Sequence, residues 1–141
     1  MRSLCLLLLA TSTLACGGSS PTAPSADLWA TGTWTGTLHT DAGAEGRMTL
    51  VITHATSGAL TGTATMTLAG LAVAGGAVTG GLPPGAVPPI ASGLAITVGG
   101  ACPVTFAAPS TFSSRTMLEG AIAGGNPACG LDLSARFTVR K

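Results

Sequence analysis

The nine residues from Leu60 to Leu68 read LTGTATMTL. Thr61, Thr63, Thr65 and Thr67 fall on one side of an extended chain, and Leu60, Gly62, Ala64, Met66 and Leu68 on the other. A period of two belongs to a strand with one buried face, and Thr, β-branched yet polar, suits the solvated face. The same alternation continues in both directions. Upstream, Trp34, Gly36 and Leu38 oppose Thr33, Thr35, Thr37 and His39, and Met48, Leu50 and Ile52 oppose Thr49, Val51 and Thr53. Downstream, the pattern predicts strands near Leu71–Thr79, Gly93–Val98, Cys102–Ala107, Thr116–Ala123 and Leu131–Arg140. The last has Leu131, Leu133, Ala135, Phe137 and Val139 inward and Asp132, Ser134, Arg136 and Thr138 outward.

Turn signals divide these runs: Asp41–Gly46, Thr56–Gly58, Gly80–Pro89, Gly99-Gly100, Pro109–Ser114 and Gly124–Gly130. No stretch carries the three-and-four spacing of an amphipathic helix. The result is an all-β, antiparallel up-and-down meander of about eight short strands. Such a meander must hide its edges, and a closed barrel does so completely, so closure is favoured over a two-sheet sandwich.

Gly32-Thr33-Trp34 resembles the G-x-W motif in the first strand of lipocalins and related calycins. That resemblance implies a lipocalin-like barrel with Trp34 closing one end, packed by an Arg from near the end of the chain, Arg136 or Arg140. It covers only a few residues and implies no particular ligand.

The chain has 141 residues, enough for one domain with one core. Only 8% of residues are charged, but 46% are hydrophobic and the formal net charge is +1, the opposite of a disordered composition. Without Arg2 the remaining basic and acidic side chains balance at five each. Affinity for nucleic acid draws on several clustered cations, and only Arg136, Arg140 and Lys141 cluster, so nucleic acid is not an expected partner.

Residues 1–15 have the build of an export signal, with Arg2 as a positive start and Leu4–Ala10 as an apolar stretch too short to span a membrane. Thr13-Leu14-Ala15-Cys16 resembles the lipobox of bacterial lipoproteins, with Thr13 where Leu is commonest. The resemblance implies cleavage before Cys16 and a lipid anchor on it. Thr13 and Ala15 also suit ordinary signal peptidase. Cysteine arithmetic favours the anchor: Cys16, Cys102 and Cys129 are an odd number for an oxidising compartment, and lipidation of Cys16 leaves one pair. Gly17 after that cysteine, by the same resemblance, points to the outer membrane of the cell envelope. Residues 16–27, which include GGSSPTAPS, then form a flexible linker, and 28–141 the barrel.

Cys102 lies at the end of its hairpin opposite the Pro109–Ser114 turn, where the Gly124–Gly130 segment holding Cys129 begins, so Cys102 and Cys129 are placed to meet in a disulfide. A loop of that size is worth roughly 3 to 4 kcal/mol in the chain-entropy model.

Reactive groups are few. His39 beside one turn and His54 near the far end of the paired strand are roughly 20 Å apart at strand spacing. They share no metal, so no metal site and no cofactor are expected, and both read as rim or surface residues. Glu119 opposite Asp132 would pair two carboxylates. The register that sets Glu119 against Arg136 and Leu118 against Phe137 is favoured, because like charges repel across a strand pair. Ser113 and Ser114 have no neighbouring base, and Gly75-Gly76 and Gly80-Gly81 lack the Lys and helix start of a phosphate cradle. No catalytic constellation emerges, and the chain reads as a non-enzyme.

Two functions are compatible with this inventory. One is a membrane-anchored binding module for a small apolar or amphiphilic ligand, held in a barrel whose inward Gly36, Gly62, Ala64, Gly120 and Ala135 leave room or else let it collapse. The alternative is a structural or interaction lipoprotein with a packed barrel that meets another envelope protein. The Pro-rich Gly80–Pro89 link would then serve as contact, lid or plain cap.

Overall fold

A computed structural model of the chain describes residues 27–68 and 71–141. The leader 1–15, Cys16 and the linker up to residue 26 lie outside the described residues.

Eight strands follow one another: β1 (Gly32–Thr40), β2 (Glu45–His54), β3 (Ala59–Leu68), β4 (Leu71–Gly81), β5 (Ile90–Val98), β6 (Val104–Ser114), β7 (Met117–Asn126) and β8 (Leu131–Arg140). Each pairs antiparallel with the next, and β8 returns to β1 with Leu38 opposite Phe137, which closes the barrel. The expected all-β meander and its closure are thus the observed architecture. A closed sheet has no edge left to template pairing with another chain. Among the described residues, all eight strands, the core and the disulfide lie beyond Asp27.

The period-two reading of the faces holds along the strands. Trp34, Leu38, Met48, Leu50, Ile52, Leu60, Met66, Leu118, Phe137 and Val139 are buried, and the threonines between them face solvent. Two inward serines are satisfied by backbone carbonyls: Ser92 Oγ donates to Gly81 O at 3.0 Å and Ser110 Oγ to Ser92 O at 3.1 Å. These bonds stitch β4, β5 and β6 where the β4–β5 ladder is short, spanning only Ala77↔Thr97 to Thr79↔Ala95.

Three expectations need correction. Pro109–Ser114 is not a turn: β6 runs through it to Ser114, alternating as far as Phe112 before the pairing with β7 shifts between Phe112 and Ser114. The proline tells in the ladder instead, since pairing with β7 is interrupted between Ala107↔Ala123 and Ser110↔Gly120, the stretch containing the residue without an N–H. The last hairpin sits two residues from the favoured register, with Leu118 opposite Val139 and Glu119 opposite Thr138, and Asp132 opposite Gly125. An exposed Glu–Arg pair is worth at most about 1 kcal/mol, too little to override the packing that sets the register. Glu119 accepts a hydrogen bond from Ser113 Oγ at 2.7 Å. Finally, His54 stands at the barrel rim as the last residue of β2 but is buried there, 8% exposed, and is not a surface residue.

Candidate functional site at the two ends of the barrel

The antiparallel meander sends alternate connections to opposite ends. One end collects the segment before β1, the 55–58 turn, the 82–89 loop, the 115–116 turn and Lys141; the other collects the 41–44 turn, the 99–103 loop and the 127–130 segment.

The first end is closed. Trp34 is completely buried and its Nε1 donates to Ala30 O at 3.0 Å. Trp29 lies above it and donates from Nε1 to Ala86 O at 2.8 Å, which ties the segment before β1 to the Pro-rich loop. Both indoles meet the edge of Phe112, with ring centroids 5.0 Å from Trp29 and 5.5 Å from Trp34. The loop is anchored by Leu82 N donating to Gly58 O at 2.8 Å. Gly58 has φ +86° and its missing Cβ would strike the Leu82 carbonyl, so only glycine fits both the turn and the approach. The 80–89 link is therefore a cap on the barrel end.

An arginine does not pack Trp34. Arg136 and Arg140 are exposed on the outer face of β8, whereas Lys141, the next inward position in the alternation, places Nζ 5.9 Å from the Trp34 ring and donates to Trp29 O at 3.0 Å. The period of two fixes this: Val139 points inward, so residue 140 cannot. The same rule applied one residue further would have found Lys141 from the sequence. Gly32, the first residue of the motif, lies under that lysine stem.

Trp29 was missed for a different reason. It precedes the alternating region, and nothing in a single sequence says that a loop 57 residues away will supply its acceptor. Beside it His54 stands with ring centroid 6.1 Å from Trp29, and its Nδ1 is buried without a hydrogen-bond partner. A cavity of about 110 Å³ opens there between Leu28, His54, Gly58 and Pro84–Val87.

The barrel interior is filled. Phe106, Ile96, Leu50, Met66 and Ile122 join the aromatic cluster with almost no exposure. The small inward residues do not line a space: a Cβ on Gly36 or Gly62 would run into the carbonyls of Thr138 and Val51, and one on Gly120 would lie 2.8 Å from the Phe137 ring. They are close-approach points between neighbouring strands of the wall, and the near-complete burial of Phe106, Phe112, Trp34 and Met66 decides between room and collapse in favour of collapse.

The opposite end carries a groove of about 370 Å³ lined by Thr40, Asp41, Ala42, Ala44, Leu68, Asp132, Leu133 and Ser134. Leu133 is buried and Leu68 half-buried, so the floor is apolar while two carboxylates and two hydroxyls form the rim. Ser134 Oγ donates to Asp41 across the β8–β1 seam. Nearby His39 Nδ1 lies 3.6 Å from Glu45, both well exposed. His39 and His54 sit at opposite ends of β1 and β2, and among the described residues no three His, Cys, Asp or Glu side chains gather into a metal-binding group.

This end is also the stapled one. Cys102, in the β5–β6 loop, and Cys129, in a short 3-10 turn (Pro127–Cys129), are joined by a disulfide with their Cα atoms 6.1 Å apart. Asn126 Nδ2 donates to Pro103 O at 3.1 Å beside it.

The fold and its ends define a closed eight-stranded antiparallel barrel, plugged by tryptophan at one end and grooved at the other. Among solved structures the chain is similar to a de novo designed fluorescence-activating β-barrel, at 11% identity and a TM-score of 0.55 over 79% of this chain and 93% of that one. It is also similar to a redesigned β-barrel, at 12% identity and a TM-score of 0.56 over 80% and 91%. At such identities the likeness is one of fold alone. No protein-family model and no curated protein matches the sequence.

Proposed function

We propose that this is an exported envelope protein anchored through a lipid on Cys16, a lipocalin-like barrel that performs no catalysis and binds at its mouth instead of inside its wall. The observation that carries the reading is the groove at the end away from Trp34: about 370 Å³ with Leu68 and Leu133 below and Asp41, Asp132 and Ser134 at the rim. Small-molecule sites run from about 300 to 1,000 Å³ and pair apolar lining with a few placed polar groups. A small amphiphile with a hydrogen-bond-donating or cationic head fits that arrangement, its tail on the leucines and its head against the carboxylates. One of the similar barrels is described as fluorescence-activating, which agrees with a binding use of this fold.

The filled interior favours a second reading, a packed barrel whose outer face or ends meet another envelope protein. Native mass spectrometry of the chain beginning at Gly17, secreted into a periplasm, separates the two. A stoichiometric small-molecule adduct that disappears in Ser134→Trp, where an indole fills the groove from an exposed position, supports mouth binding. An adduct retained in Ser134→Trp places the ligand elsewhere, and a bare mass with a co-purifying protein supports the second reading. Lipidation is checked separately by the mass of the full chain's N-terminal peptide from membranes, where an unmodified Cys16 would refute the anchor.

A further inference from the structure

We propose that the closed end of the barrel is a membrane-docking face that rests against the bilayer to which the chain is tethered. The inference depends on the anchor reading for the identity of the surface, but not for the character of the face.

Leu28, Val51 and Val87 are large hydrophobic side chains that stand exposed. Leu28 and Val87, 37% and 61% exposed, both stand on the closed end, and Val51, opposite Thr33 near the start of β1, is in the same half of the barrel. Val87 projects from a loop built for an apolar surrounding. Residues 82–89 read LPPGAVPP, with no charge and four prolines that have no N–H to desolvate. Two of its carbonyls are already occupied, Pro83 O by Ala86 N and Ala86 O by Trp29 Nε1. Of its backbone amides only those of Gly85 and Val87 are left without a partner, fewer than in a loop of this length without prolines, and that lowers the cost of leaving water.

Charge is arranged in the same sense. Of the five cations among the described residues, Arg115, Arg140 and Lys141 are at this end with the acids Asp27 and Glu119, while Asp41, Glu45 and Asp132 are in the mouth half with Arg47 and Arg136. Arg140 is exposed, and Arg115, bridged to Asp27 at 2.6 Å, keeps about half its side chain in solvent. The closed end thus keeps one net positive charge and the mouth half one net negative, so anionic headgroups favour the closed end modestly.

The tether points the same way. Residues 17–26 separate Cys16 from Asp27, and Asp27 enters at the closed end. Ten residues of chain without fixed structure would reach about 17 Å on average and about 35 Å fully stretched. A barrel wall of ten-residue strands tilted by about 40° stands roughly 25 Å tall. Turning the mouth to the membrane would require the linker to run about 25 Å up the side of the barrel, beyond its average reach. Turning the closed end down costs nothing, and the tether holds the face at high local concentration, so a weak surface affinity suffices.

The test removes any dependence on lipidation in the cell. The chain beginning at Cys16 is coupled through that thiol to maleimide-bearing lipid in vesicles of three parts phosphatidylethanolamine to one part phosphatidylglycerol, with bromine on the acyl chains. Cys102 and Cys129 do not compete because they are bonded to each other. Trp29 and Trp34 both lie behind the docking face, so their fluorescence reports its approach to the bromine. Quenching is expected, with Val87→Asp lowering the docked fraction ratio about tenfold, the loss expected for withdrawing one largely exposed valine from an apolar contact. Arg140→Gln is expected to lower it further in low salt only. Both positions are exposed, so neither variant disturbs the core. Absent quenching, quenching unchanged in Val87→Asp, or a dimer in sedimentation that Val87→Asp dissolves would each overturn the proposal; the last would make the face a self-interface. An unmodified Cys16 in cells combined with quenching here would refute the anchor and leave the lipid-seeking face intact.

Discussion

Removing the disulfide should be the most damaging change that touches no buried core side chain. Cys102 and Cys129 are 27 residues apart, and the segment between them is the whole β6–β7 hairpin. Cross-linking a loop of that length withdraws about 12 cal/mol/K of entropy from the unfolded chain, or about 3.5 kcal/mol at 25 °C. A barrel of roughly 115 residues unfolds with about 0.24 kcal/mol/K, so the double variant Cys102→Ser/Cys129→Ser should melt about 15 °C lower. The assay is thermal unfolding by far-UV circular dichroism with and without reductant. The parent should fall to the variant's midpoint in reductant, and the variant should be indifferent to it. Because the effect acts on the unfolded state, the folded spectrum should be unchanged and the urea m-value should rise as the freed chain exposes more surface. A drop below about 5 °C would refute the reasoning; it would mean that the unfolded chain keeps the β6–β7 hairpin closed without the bond.

Lys141→Ala should lower the midpoint by about 4 to 8 °C, for the loss of about 1 to 2 kcal/mol of indole contact and a charged hydrogen bond to Trp29 O, while Arg140→Ala stays within about 2 °C. Equal effects would return the arginine to the closing role. Gly120→Ala should cost about 1 to 3 kcal/mol in urea unfolding, because the new methyl would lie 2.6 Å from the Pro109 carbonyl and 2.8 Å from the Phe137 ring; a neutral result would show space where the wall is described as collapsed. His54→Leu should leave stability unchanged or raise the midpoint by about 4 °C, since it replaces a buried nitrogen without a partner by an apolar group. A clear fall would mean that the imidazole is satisfied in solution.

The strands were legible because one face had to be buried and the other wetted, and Thr alternating with Leu, Met or Ala records that directly. Boundaries went astray where two signals conflicted. Pro109-Ser110 reads as a turn by composition, yet Ser110 and Phe112 are inward positions of a strand that absorbs the proline by giving up one stretch of ladder. The β7–β8 register was read from a charge pair, the weakest force available, while Leu118 and Val139 set it. The disulfide was legible because hairpin topology puts both cysteines at one end whatever the register. The groove was not, because its walls come from residues 40–44, 68 and 132–134, which meet only through the β8–β1 closure. The Trp29 cap likewise depends on a loop far away in sequence.

Glycine on the inner wall is usually read as room for a ligand, and here it does the reverse. Where Gly36 faces the Thr138 carbonyl and Gly120 faces Phe137, the strands come too close for any Cβ, and the wall curls over Phe106, Phe112 and Trp34. A barrel tightened in this way has no interior to offer, so any binding falls to its two ends, which the fold makes chemically unlike. At one end the indoles, the Lys141 stem and a proline-rich loop build a plug that presents Leu28 and Val87 outward. At the other, a disulfide replaces the plug and frees the rim to carry Asp41, Asp132 and Ser134 around a leucine floor. The staple and the plug are therefore two solutions to one problem, holding a barrel end together: the apolar solution suits an end that meets lipid, and the covalent one suits an end that must stay polar and open.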